Sequence, residues 1–195
     1  MFDLLTGKKK RKLSVSEVNP VQAYINEEYS KHAEEQRMVD SFIKKNTFNG
    51  GSIMQYSVKL LSLLAREREI SQGAFYISDM KDGKSFLKFL SGFATPDPDN
   101  NTDLLEFGEG FPGQVAKDGT LMNISDIPEG YLTIESGLGK SSPVSLLIFP
   151  VKDKEKVIAV IELGSFHKFS TADENYFTAI SHSICDKIKK CMRKS

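Results

Sequence analysis

The chain has 195 residues, 39% hydrophobic and 27% charged, with 26 basic against 26 acidic side chains; this suits one globular domain plus an appendage, with a core large enough to need no covalent staples. Its only cysteines, Cys185 and Cys191, fall on one predicted helix, which argues against a disulfide framework and against paired CxxC metal motifs. No run approaches the roughly 18 apolar residues of a membrane span, and residues 1–5 are too short for a signal segment, so a cytoplasmic protein with reduced thiols is expected.

The charge is unevenly spread. Ten basic residues cluster in 8–12 and 187–194, leaving 16 basic against 25 acidic residues between positions 13 and 186. A body of that sign repels nucleic acid. The basic front, beside Phe2, Leu4 and Leu5, has the composition of a membrane-touching segment, but residues 1–19 are expected to be a solvated, disordered tail.

Asn19-Pro20 reads as a helix cap followed by proline at the first helical position. The helix should run to about residue 46, with Val21, Ile25, Tyr29, Val39 and Ile43 in a seam that also passes through His32 and Gln36. So polar a seam suits a helix packed beside its own copy or across a domain better than an autonomous coiled coil. On this reading, charges at Ile25 and Val39 weaken self-association and leave the domain folded. Residues 46–52, with Gly50-Gly51, break the helix, which makes 20–50 a helix-and-turn unit and 51–192 the domain. Residues 52–69 form a second helix, with Ile53, Ser57, Leu60, Leu61 and Leu64 on its apolar face.

Strands are expected at 73–78 and 85–94 as a hairpin, then a polar, proline-rich loop over 95–101. A short helix over 111–117 follows a glycine turn, and a strand falls near 121–125. Residues 126–143 lack a period, and so long an irregular segment in a compact domain is often functional. A second hairpin over 144–150 and 156–163 includes the continuously apolar Leu146-Leu147-Ile148-Phe149, the mark of a strand covered on both faces. In Thr171-Ala172-Asp173-Glu174 the threonine and glutamate fit a capping box, opening a last helix lined by Phe177, Ile180, Ile184 and Ile188.

The chain has no phosphate-loop signature, no GxGxxG after a strand, no HExxH and no GxSxG elbow. His32, His167 and His182 are scattered, so neither a metal site nor a catalytic residue is assigned. Glu162 interrupts an apolar strand, and a covered carboxylate there must find a partner or shift its pKa; the expected partner is a neighbouring loop backbone.

The ordered set Gly108-Glu109-Gly110-Phe111-Pro112-Gly113-Gln114-Val115, Asn123-Ile124-Ser125-Asp126-Ile127-Pro128, Ser136-Gly137-Leu138-Gly139, Leu146–Val151 and Val160-Ile161-Glu162-Leu163 resembles the GAF domain family. The resemblance implies an α/β (α+β) fold: a central, mostly antiparallel sheet with helices on both faces, plus the long N-terminal helix outside the domain. It also implies a pocket between one sheet face and the 106–143 segment, recruiting Phe111, Tyr131, Ile134, Ser136, Leu138 and Ser145. The family's sulfoxide-reducing branch and its bilin-binding branch use pocket cysteines, and this chain has no cysteine before position 185. The cyclic-nucleotide branch carries an Asn-Lys pair where Ser165-Phe166 stand here, although Phe169, Asp173 and Glu174 match the second half of its motif. The expectation is a non-catalytic sensory or regulatory homodimer, with a possible small-molecule ligand of unknown identity and a downstream signalling protein as partners. The alternative is a ligand-free dimerisation scaffold.

Overall fold

The computed structural model describes residues 19–48, 50–95, 104–136 and 139–193. The basic tail, most of the 95–101 loop and Leu138 therefore lie outside the described residues. The chain divides into two units, Met1–Arg37 and Met38–Ser195.

The first unit holds the greater part of helix α1 (Pro20–Lys45). The Asn19 side-chain oxygen accepts from the Val21 N–H at 3.0 Å, as a cap before proline requires. Lys31 bridges to Glu27 at 3.0 Å and to Glu28 at 3.2 Å, and Val21, Tyr24, Ile25 and Tyr29 are exposed.

The second unit is built on a six-stranded sheet in the order β3-β2-β1-β8-β7-β4. The strands are β1 (Gln72–Lys81), β2 (Lys84–Phe93), β3 (Leu104–Glu106), β4 (Met122–Ile124), β7 (Ser145–Asp153) and β8 (Lys156–Ser165), and every pairing is antiparallel. A separate ribbon joins β5 (Ile134–Ser136) to β6 (Gly139–Ser141). It lies inside the segment expected to be irregular. Edge strand β3 escaped the sequence reading because three residues are too few to show a period.

Helices α2 (Ile53–Arg68) and α4 (Thr171–Met192) cover one face, and α3 (Gly110–Asp118) covers the other. Strand alternation sorts the core: Leu147, Phe149, Ile161 and Leu163 pack towards α2 and α4, while Ile148, Val160, Ala74 and Tyr76 pack with Val115 and Ala116 of α3. Arg68 locks the first layer, its guanidinium 3.8 Å from the Tyr176 ring centre and 3.4 Å from an Asp173 carboxylate oxygen.

Two expectations about helices need correction. Val39 is buried in the core of the second unit, next to Phe42, which the seam had left out; the Phe42 ring meets Tyr176 edge-on at 6.3 Å. A charge at Val39 would therefore disrupt the fold and could not serve as a clean test of self-association. At α4 the cap is Ser170, not Thr171. Its hydroxyl accepts from the Asp173 N–H, and the Asp173 carboxylate closes the box on the Ser170 N–H. Glu174, freed from that role, accepts from the Asn123 amide at 2.7 Å and ties α4 to β4. Ser170→Ala is accordingly expected to cost about 1 kcal/mol in urea unfolding, while Thr171→Ala, at an exposed site, stays within about 0.5 kcal/mol. The reverse order would restore the threonine cap.

Candidate functional site

The antiparallel register places Glu162 opposite Ala74 on one side and Ile148 on the other, on the α3 face of the sheet. Tyr76 stands on the same face, diagonal to Glu162. Its hydroxyl donates to one carboxylate oxygen at 3.3 Å, and the Tyr131 hydroxyl donates to the other at 2.9 Å. The partners are thus two side chains and not the loop backbone expected from sequence. Tyr131 belongs to the 126–143 segment and stacks obliquely on Phe111 of α3, with ring centres 4.8 Å apart, so one residue joins helix, segment and strand.

Glu162 is 5% exposed. Burial pushes its carboxyl above the ordinary carboxylate range, and the two tyrosine hydroxyls pull in the opposite direction. Both tyrosines are themselves pushed up, first by burial and then by the neighbouring carboxylate; they therefore remain protonated donors at neutral pH.

Gln72, Gly73, Ala74, Thr95, Leu132, Glu162 and Gly164 enclose about 10 Å³, roughly the room one water needs. The buried Gln72 side-chain oxygen has no partner at this cavity wall. Close approach of the 126–143 segment depends on Gly164, where a Cβ would come within 3.1 Å of Leu132. The glycine turn before α3 is similarly tight: a Cβ on Gly113 would meet the Glu106 carbonyl at 2.6 Å, and the Gly108 N–H donates to the Gly113 carbonyl at 2.7 Å. These contacts account for the glycines without a bound phosphate.

Of the residues expected to line a pocket, Phe111 and Tyr131 come together at Glu162. Ile134 is buried at the start of β5, and the Ser136 backbone ends that strand. Ser145 has the alternation of Leu147 and Phe149, and its hydroxyl donates to the His167 carbonyl at 2.7 Å. Sequence reading missed Tyr76 and Gln72. Period-two alternation along β1 puts both on one face, but only the strand register brings that face to Glu162.

The matches to a cyclic-nucleotide motif have structural work. Phe169 is buried against Phe177, Asp173 caps α4, and Glu174 holds Asn123. Where the Asn-Lys pair would stand, the Ser165 hydroxyl is within 2.8 Å of His167 Nδ1, and Phe166 is exposed. Among the described residues no cluster of His, Cys, Asp and Glu could hold a metal ion, and no helix is long and apolar enough to cross a membrane.

A family model described as GAF domain matches residues 59–186. No curated protein sequence matches the chain. Among solved structures, the GAF domain of a phosphoenolpyruvate-protein phosphotransferase from Coxiella burnetii is similar at a TM-score of 0.65 and 13% identity, covering 82% of this chain and 95% of that one. The corresponding Acinetobacter domain gives 0.64 and 15%, with coverage of 83% and 96%. A free methionine-R-sulfoxide reductase from Neisseria meningitidis, solved in complex with its substrate, gives 0.63 and 14%, with coverage of 85% and 94%. At these identities the likeness concerns the fold.

Proposed function

This chain belongs to the GAF domain family, and from that premise we propose that it is a non-catalytic regulatory module of the cytoplasm. In this reading it is a homodimer that takes a small molecule at the Glu162 cluster and passes occupancy through its helices to a downstream signalling protein. Residues 1–19 form its tail, 20–50 its helix and turn, and 51–192 the sensing domain.

The observation that carries this reading is the cap on Glu162. A buried carboxyl, costly to leave unpaired, is satisfied by Tyr131 from the 126–143 segment, so the chain's own side chain holds the place of an occupant. A ligand that displaces Tyr131 must bring hydrogen-bond donors to Glu162 and an apolar surface to Phe111. It shifts the helices only in so far as it binds one arrangement better than the other. Reduction of a sulfoxide by thiolate would need a cysteine at this cluster. Cys185 and Cys191 are both on α4, which covers the other face of the sheet, and this favours the non-catalytic reading over the reductase chemistry of the Neisseria relative.

The ligand-free scaffold is favoured by one fact, the cavity of about 10 Å³. Native mass spectrometry of the freshly purified full chain separates the two readings: a dimer carrying a releasable small mass is expected for the sensor, and a dimer at bare polypeptide mass leaves the scaffold. Dimerisation itself rests on the exposed apolar residues Val21, Ile25 and Tyr29 of α1. Ile25→Glu with Tyr29→Glu should convert the dimer to monomer in the same spectra without loss of helical circular dichroism; a persistent dimer would remove α1 from the interface.

A further inference from the structure

A second cavity opens between α4 and the edge of β7, wrapping that edge as far as Gly119 at the end of α3. Strand β4 pairs with Leu146, Leu147 and Ile148, so among the described residues β7 runs on from Phe149 to Asp153 with no strand partner on that edge. Residues 119–121 form the outer wall of a space of about 270 Å³, at the small end of ligand pockets. Side-chain bonds tie α4 down at either end of this stretch: Glu174 to Asn123 at 2.7 Å, and Lys189 to Asp153 at 2.9 Å. Between these ties Thr178 and His182, one helical turn apart, line the cavity across from Leu121, Phe149 and Pro150.

Lys152 sets the charge of this space. Its side chain is half-buried and lies across Gly119, where a Cβ would come within 3.7 Å of the lysine Cδ. The ammonium donates to the Gly119 carbonyl at a long 3.4 Å, and no carboxylate pairs with it among the described residues. The acids nearby are otherwise engaged or outside: Asp153 is bound to Lys189, and Asp186, one turn beyond His182, is 84% exposed. A cation held by one neutral acceptor beside an apolar wall is set to bind an anion. Charge-assisted hydrogen bonds are about twice as strong as neutral ones.

We propose that this cavity is a second ligand site, independent of the Glu162 cluster, for a small organic monocarboxylate. The carboxylate lies at Lys152, with the His182 ring N–H and the Thr178 hydroxyl as further donors, and the apolar body rests on Leu121, Phe149 and Pro150. Such an occupant bridges α4 to the free edge of β7.

The test uses the full chain and sodium benzoate as the probe, followed by amide NMR, with benzyl alcohol as the uncharged match and sodium chloride at equal ionic strength as the salt control. Saturable benzoate shifts centred on residues 120, 121, 152, 178 and 182 are expected, with benzyl alcohol binding about tenfold more weakly or worse. Lys152→Met should weaken benzoate to a similar extent while its spectrum remains that of the folded protein. His182→Ala, at an exposed helix position, provides a second loss should the lysine change disturb the wall. Equal affinity for benzyl alcohol, benzoate shifts confined to the Glu162 cluster, unchanged affinity in both variants, or no saturable shift through millimolar benzoate would each overturn the proposal.

Discussion

Phe177→Ala is expected to lower the stability of the domain by about 3–5 kcal/mol, the usual cost of deleting a large buried aromatic side chain. Phe177 is fully buried where α4 crosses the sheet. Its ring centre is 5.4 Å from Phe149 of β7, 6.1 Å from Phe169 and 5.3 Å from Tyr176. Removing it forfeits the transfer of the ring out of water and leaves a cavity that its neighbours refill only in part. The aromatic pairs add about 0.5–1.5 kcal/mol each beyond area. Urea unfolding should show a lower midpoint with an unchanged slope, and Phe166→Ala, at a half-exposed site, should stay within about 0.5 kcal/mol. A loss below about 1 kcal/mol at Phe177 would mean that α4 is not docked on the sheet as described.

The second large effect is a pH dependence centred on Glu162. The folded domain holds its carboxyl above the ordinary value because burial outweighs the tyrosine hydrogen bonds. Between the unfolded value, near 4.3, and the raised folded value, the folded state keeps a proton that the unfolded chain gives up. Stability from this group is therefore whole below the unfolded value and is lost as pH rises through the folded one, at up to about 1.4 kcal/mol per pH unit. Glu162→Gln removes this slope. The variant should gain on the wild type as pH rises from about 4.3, and the gap should level off once the folded carboxyl has ionised. Asp153, held below the ordinary range chiefly by its hydrogen bond to Lys189, runs in the opposite direction but is present in both proteins and cancels in the difference. A difference that does not change with pH would show that Glu162 ionises in the fold as it does in the unfolded chain.

The same carboxyl shows how far the sequence could be read. A lone glutamate within Val160-Ile161-Glu162-Leu163 announces a buried charge, and its need of a partner follows from desolvation alone. Which partner cannot follow, because Tyr76 lies 86 residues away and Tyr131 31 residues away, and contacts so distant in sequence leave no local period. Asn123 is a parallel case: it sits in a strand too short to announce a face, yet it donates both to Glu174 and to the Phe169 carbonyl. The cap of α4 was misplaced by one residue because Ser170 and Thr171 are both good caps, and local rules cannot choose between them. Docking decides, since Asp173 must also meet Arg68 and Glu174 must also meet Asn123.

By itself the sequence determined the elements with strong periods or punctuation: α1, α2, the two long hairpins, α4, and, through the ordered glycine and strand motifs, the family and its antiparallel sheet covered on both faces. Those features are local, with side chains repeating at 3.6 or 2 residues, so each segment carries its own signal. Only the tertiary structure decided that Val39 and Phe42 belong to the core, that Tyr131 caps Glu162, and that a cavity lined by Lys152 lies beside β7. Each of these depends on register and packing between segments far apart in the chain, where the free energy belongs to the pair of surfaces and to neither sequence alone.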